Sequence, residues 1–183
     1  MACCVFVGEA VSFWNRTLET IVGIRGASQG VSARLEAYLA TLPAEHPHRN
    51  ARPDAFAFGD SPSLANELAT LVQTGRKRAT TSLPVEFTSE GQPLPASGEV
   101  GIVTWADGTP AAIIELVEVR HVPFQDVDAA FAAAEGEGDG TLAWWRAAHR
   151  KYFDRVCVRL GGTFDETSLV VCQRFRLVWK AEL

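Results

Sequence analysis

The tightest constraint on this fold is a change of hydrophobic period at Gly75. Upstream, Leu64, Leu68, Leu71 and Val72 fall on one stripe at helical spacing, behind Asp60-Ser61-Pro62, which joins a capping side chain to a proline suited to a first helical turn. This spacing predicts a helix over 62–74 that stops at Gly75. Downstream, Gly75-Arg76-Lys77-Arg78-Ala79-Thr80-Thr81-Ser82 alternates small and β-branched residues up to Pro84, which predicts a strand. Lys77, Thr80 and Ser82 therefore lie where a helix hands over to a strand. An amine close to a hydroxyl is a base beside a weak nucleophile, although the same residues also make a solvated basic turn and an ordinary Thr-rich strand.

The remaining segments interleave helices and strands, with no repeat. Ser32 is a candidate N-cap for a helix carrying Leu35, Leu39 and Leu42, closed by Pro43. Glu45 to Pro53 reads as a loop that leaves His46 and His48 to solvent rather than to a metal. Glu99 to Trp105 and Ala111 to His121, joined by Ala106-Asp107-Gly108-Thr109, predict an antiparallel hairpin. A short helix is expected over 125–134, then the acidic loop Glu135-Gly136-Glu137-Gly138-Asp139-Gly140. Its carboxylates can cap the next helix, or one of them can face a pocket. The helix expected over 141–160 carries Leu142, Trp145, His149, Tyr152, Phe153, Val156 and Leu160 on one face, which places His149 in an aromatic stripe. Leu169 to Trp179 alternates and predicts a closing strand, with Val171, Gln173 and Phe175 on one side.

Charge narrows the partners. With 183 residues, one domain with a sizeable core is expected. A net charge of -5 provides no global positive field for a polyphosphate backbone. Contact with nucleic acid would be local, through Arg76, Lys77 and Arg78 or through Arg146, Arg150 and Lys151, so a nucleoside or short single strand suits the chain better than duplex DNA. Cys3, Cys4, Cys157 and Cys172 form no Cys-x-x-Cys pair, which favours reduced thiols. The Ala2 to Val7 run has no basic flank, and no stretch of about 18 apolar residues occurs, so a cytoplasmic location without membrane contact is expected.

Several motifs in order resemble the ASCH family: Phe58-Gly59-Asp60-Ser61-Pro62, Gly75-x-Lys77-x-x-Thr80-x-Ser82, Ala134-Glu135-Gly136-Glu137-Gly138-Asp139, Trp145-Arg146-x-x-His149 and Val171-Cys172-Gln173-Arg174-Phe175. The resemblance runs from about Ser32 to Trp179 and is to the larger bacterial branch. It implies an α+β, PUA-like fold, a mostly antiparallel β-barrel of about five to six strands with flanking α-helices. A single domain over 28–183 is expected, with residues 1–27 as an extension.

The activity implied is divided. One small bacterial branch hydrolyses the N4-acetyl amide of acetylcytidine with a lysine, a threonine and a glutamate, which match Lys77, Thr80 and Glu137 and need no cofactor. Lys77 would take a proton from Thr80, which attacks the acyl carbon, while Glu137 orients the lysine or protonates the leaving amine. A longer relative is described as a ribonuclease for single-stranded RNA that needs the equivalent of Lys77 and a divalent metal, and other relatives are regarded as RNA-binding modules. Arg78, Ser82, Glu135, Trp145, Arg146 and His149 are the candidate substrate-binding residues. Gly138-Asp139 and Thr81-Ser82 depart from the small branch.

Overall fold

The structure, a computed structural model, describes residues 28–50 and 53–181; the extension expected over 1–27 lies outside them. The helices are α1 (Ser28–Ala40), α2 (Pro62–Gln73), α3 (Pro84–Ser89), α4 (Ala129–Glu135) and α5 (Leu142–Arg159). The strands are β1 (Asp54–Phe56), β2 (Ala79–Ser82), β3 (Val100–Thr104), β4 (Pro110–Pro123) and β5 (Leu169–Lys180). A 3-10 turn, Phe124–Asp126, follows β4.

The five strands form one sheet in the order β1-β3-β4-β5-β2. β1 runs parallel to β3, and every other pairing is antiparallel. The expected hairpin is β3–β4, with Ile102 opposite Ile113. The closed barrel is corrected to an open mixed sheet, because the terminal strands β1 and β2 are three and four residues long and pair only with β3 and β5. The chain between them carries α2, whose apolar stripe packs on one face of the sheet. Register shifts in β4–β5 between Ile113 and Ile114, and between Leu116 and Glu118, bend the sheet without joining its ends.

By strand alternation the two faces carry different helices. On one, Leu68, Ala69 and Val72 of α2 pack with Phe56, Phe58, Val103, Ile114, Leu116 and Phe175. On the other, Tyr38 and Leu39 of α1, with Leu42 just beyond it, cover Ala55, Ile102 and Ile113. Phe131, Trp145, Phe153 and Val156 of α4 and α5 cover Ala79, Val170 and Cys172.

Local chemistry accounts for most boundaries. Ser61 caps α2 by accepting from the Leu64 N–H at 3.3 Å. Asp128 and Thr141 cap α4 and α5 in the same way. α1 begins at Ser28, so Ser32 lies inside it rather than at its cap. The helix expected over 125–134 divides into the 3-10 turn and α4, whose N-cap is Asp128. β1 and α3 lack a periodic signal because three and six residues are too few to show one. No described helix is long and apolar enough to cross a membrane.

Candidate functional site

The end of α2 places Lys77. Gly75, at φ 73°, reverses the chain, and the N–H groups of both Arg76 and Lys77 bond to the Leu71 carbonyl at 2.9 and 3.0 Å. Beyond them the Arg78 N–H bonds to the Ala134 carbonyl at 2.7 Å, and the Arg78 carbonyl accepts from the Phe175 N–H at 2.9 Å. The junction is thereby strapped to both α4 and β5. Lys77 turns inward to 1% exposure, with Nζ 5.1 Å from the centre of the Phe58 ring.

Two carboxylates meet that ammonium from one turn. α4 ends at Glu135, and Gly136 caps it in the left-handed region at φ 69°. A Cβ at Gly136 would lie 2.5 Å from the Arg76 carbonyl oxygen, so only glycine lets this turn press against the Arg76–Lys77 backbone. Glu135 and Glu137, on either side of Gly136, reach Lys77 Nζ at 3.2 and 2.5 Å. Gly138 lies against the exposed Trp144, whose ring a Cβ would meet at 2.1 Å.

The two carboxylates have different surroundings. Glu135 is 1% exposed and accepts from Thr81 Oγ1 at 2.5 Å and Trp145 Nε1 at 2.8 Å, with His149 Nε2 at 3.6 Å. The His149 ring stacks on Trp145 at 4.2 Å. Glu137 keeps 16% of its side chain exposed. Burial pulls the Lys77 pKa down, but the charges of Glu137 and Glu135 more than reverse this, so the amine stays protonated. Burial likewise pushes the Glu135 carboxyl up, while Lys77 and then His149 hold it well below the ordinary range. His149 loses basicity to burial and regains more from Glu135, ending above its usual value.

Of the catalytic set expected from sequence, Lys77 and Glu137 are in direct contact. Thr80 and Ser82 are half-buried on the face of β2 opposite Ala79 and Thr81, and Thr80 pairs in register with Gln173. Ser82 Oγ accepts from Gln173 Nε2 at 3.4 Å. Trp145 and His149 surround Glu135 rather than Lys77. Arg78 is exposed, and Arg146 points away to the Gln125 carbonyl at 2.7 Å. Two residues outside the expected set belong to the cluster, Phe58 and Thr81, while Gln173 meets the expected residues Thr80 and Ser82. The parity of β2 was the available signal for Thr81, since it shares a face with the apolar Ala79. Among the described residues no group of three His, Cys, Asp or Glu side chains is placed to hold a metal ion.

Residues 54–179 match the family model for the ASCH domain. The chain belongs to the ASCH family. Its structure is similar to the crystal structure of an ASCH domain from Lactobacillus crispatus JV V101, with 36% identity, a TM-score of 0.73, and coverage of 85% of this chain and 98% of that one. It is also similar to a protein from Enterococcus faecalis V583, with 31% identity, a TM-score of 0.70, and coverage of 84% and 90%. No curated protein matches the chain. The ASCH match contains the whole cluster from Phe58 to His149, together with Gln173, here carried on an open sheet.

Proposed function

We propose that this ASCH protein hydrolyses the N4-acyl amide of a cytidine-type nucleoside. The observation that carries the reading is the inequality of the two carboxylates on Lys77. Glu135 spends its oxygens on Lys77, Thr81 and Trp145 and is sealed from solvent. Glu137, 2.5 Å from the same ammonium, is partly open and is the one that can exchange protons with a ligand.

Because Lys77 keeps its proton, it acts here as a donor and not as the base. Its ammonium hydrogen-bonds to the acyl oxygen and stabilises the negative charge that develops there. Glu137 removes a proton from the nucleophile, either a water or the Thr80 hydroxyl. A bond forms from that oxygen to the acyl carbon, the C–N4 bond breaks, and the proton passes from Glu137 to the leaving amine. With water the products are cytidine and a carboxylic acid; with Thr80 an acyl ester forms first and is then hydrolysed.

The test is incubation of the pure protein with N4-acetylcytidine in chelator, with cytidine followed by chromatography. Cytidine release, abolished in Glu137→Gln, is expected. A trapped acyl-Thr80 ester would identify Thr80 as the nucleophile. No cytidine release, together with metal-dependent shortening of an unstructured RNA, would replace amide hydrolysis by RNA cleavage.

A further inference from the structure

Among the described residues, Gln173, opposite Thr80 in the sheet, carries a buried polar atom that the cluster leaves unused. The residue is 0% exposed, its Nε2 donates to Ser82 Oγ at a long 3.4 Å, and its Oε1 has no partner. Turning the amide over would exchange which atom is left over without removing the deficit. Buried polar groups are paired in the great majority of cases, and a leucine in the midst of apolar neighbours would carry no such deficit. Gln173 is instead kept opposite Val119 in β4, two residues from Phe175.

Its place on the sheet says what it faces. Alternation puts Gln173 and Phe175 on one face of β5, and Thr80 and Ser82 on the same face of the adjoining β2. Phe175 stacks with Phe58 at 6.0 Å and 19°, and Phe58 lies 5.1 Å from Lys77 Nζ. The carboxamide and the two hydroxyls thus share one sheet face with the buried Phe58–Phe175 pair, and the Lys77 ammonium lies over the Phe58 ring at the edge of that group. A carboxamide with an unpartnered oxygen beside these hydroxyls suits the polar edge of a planar heteroaromatic amide.

We propose that Gln173 reads the base edge of the ligand, Oε1 accepting from the amide N–H of an N4-acylated cytosine and the second Nε2 hydrogen donating to ring N3. The inference rests on the nucleoside reading above and adds the group that selects the base. An acceptor–donor pair on one planar amide matches a donor–acceptor pair on one planar ring, the geometry by which glutamine reads bases elsewhere.

The experiment measures calorimetric binding of N4-acetylcytidine, and of its N4-methyl analogue that lacks the N–H, to Glu137→Gln protein with and without Gln173→Leu. With Gln173 present, the N–H ligand is expected to bind about tenfold more tightly than the methylated one. With leucine the two should bind within about twofold of each other, and the melting temperature should not fall. In protein that keeps Gln173, its 15N side-chain amide resonances should shift on adding N4-acetylcytidine, a readout that holds even if the leucine variant fails to fold. An N–H preference that survives Gln173→Leu, or amide resonances that do not move, overturns the proposal. Cytidine release without Gln173-dependent preference would sink this assignment and leave the hydrolase reading standing. Gln173-dependent preference without cytidine release would do the reverse, and no binding of either nucleoside would end both.

Discussion

Lys77 holds its charge out of reach of water because two carboxylates do what a hydration shell would otherwise do. Truncating it therefore tests folding and chemistry together. Lys77→Ala leaves Glu135 buried without its cation, and loss of about 3–5 kcal/mol in denaturant titration is expected. Glu137→Gln is the cleaner probe, because Lys77 keeps Glu135 and the side chain is partly exposed. It should cost about 1–2 kcal/mol while cytidine release disappears. A variant that unfolds with the wild type yet still turns over would take Glu137 out of the chemistry. At this scale the sequence pattern marked a basic junction and an acidic loop, and only the resemblance to the ASCH family singled out Glu137 within that loop. Neither could assign the protonation of Lys77 and Glu137, which depends on distances between residues sixty positions apart.

The turn between α4 and α5 is held by contacts that glycine alone permits. At Gly136 a side chain would collide with the Arg76 carbonyl, whereas at Gly140, also at positive φ, nothing lies within 4 Å. Gly140→Ala should cost about 1 kcal/mol from backbone conformation alone. Gly136→Ala should cost more, and should also lower turnover, because the turn must lift away from the Arg76–Lys77 backbone and carry Glu137 with it. Thermal melts and cytidine release on the two variants separate these effects; equal losses would show that the close approach is immaterial. The helices α2 and α5 and the β3–β4 hairpin were legible as elements, because stripes, caps and turn residues are local signals. The parallel pairing of β1 with β3 was not, since a three-residue strand has its partner chosen by packing and not by its own pattern.

Across the whole molecule, the buried cluster makes stability depend on pH at both ends. His149 has a folded pKa raised above its ordinary 6.5, so its contribution is full below 6.5 and is lost as pH rises through the folded value. Glu135 has a depressed folded pKa, so its contribution is full above the ordinary carboxylate range and is lost as pH falls through the folded value. Melting curves of His149→Phe should lose the decline on the alkaline side of 6.5 and keep the acid one. An unchanged alkaline slope would show that His149 is not its source.

The sequence by itself determined the longer elements, α2, α5, the β3–β4 hairpin and β5, where chemistry-bearing residues cluster along the chain, and the family they resemble, because caps, periodicity and motif spacing act over a few residues. Only the tertiary structure decided that the sheet stays open, that Thr81 and not Thr80 meets Glu135, and that Gln173 is buried with an unused acceptor. Those outcomes rest on which strand edges pair and which faces are covered, and both follow from how distant segments fill space together.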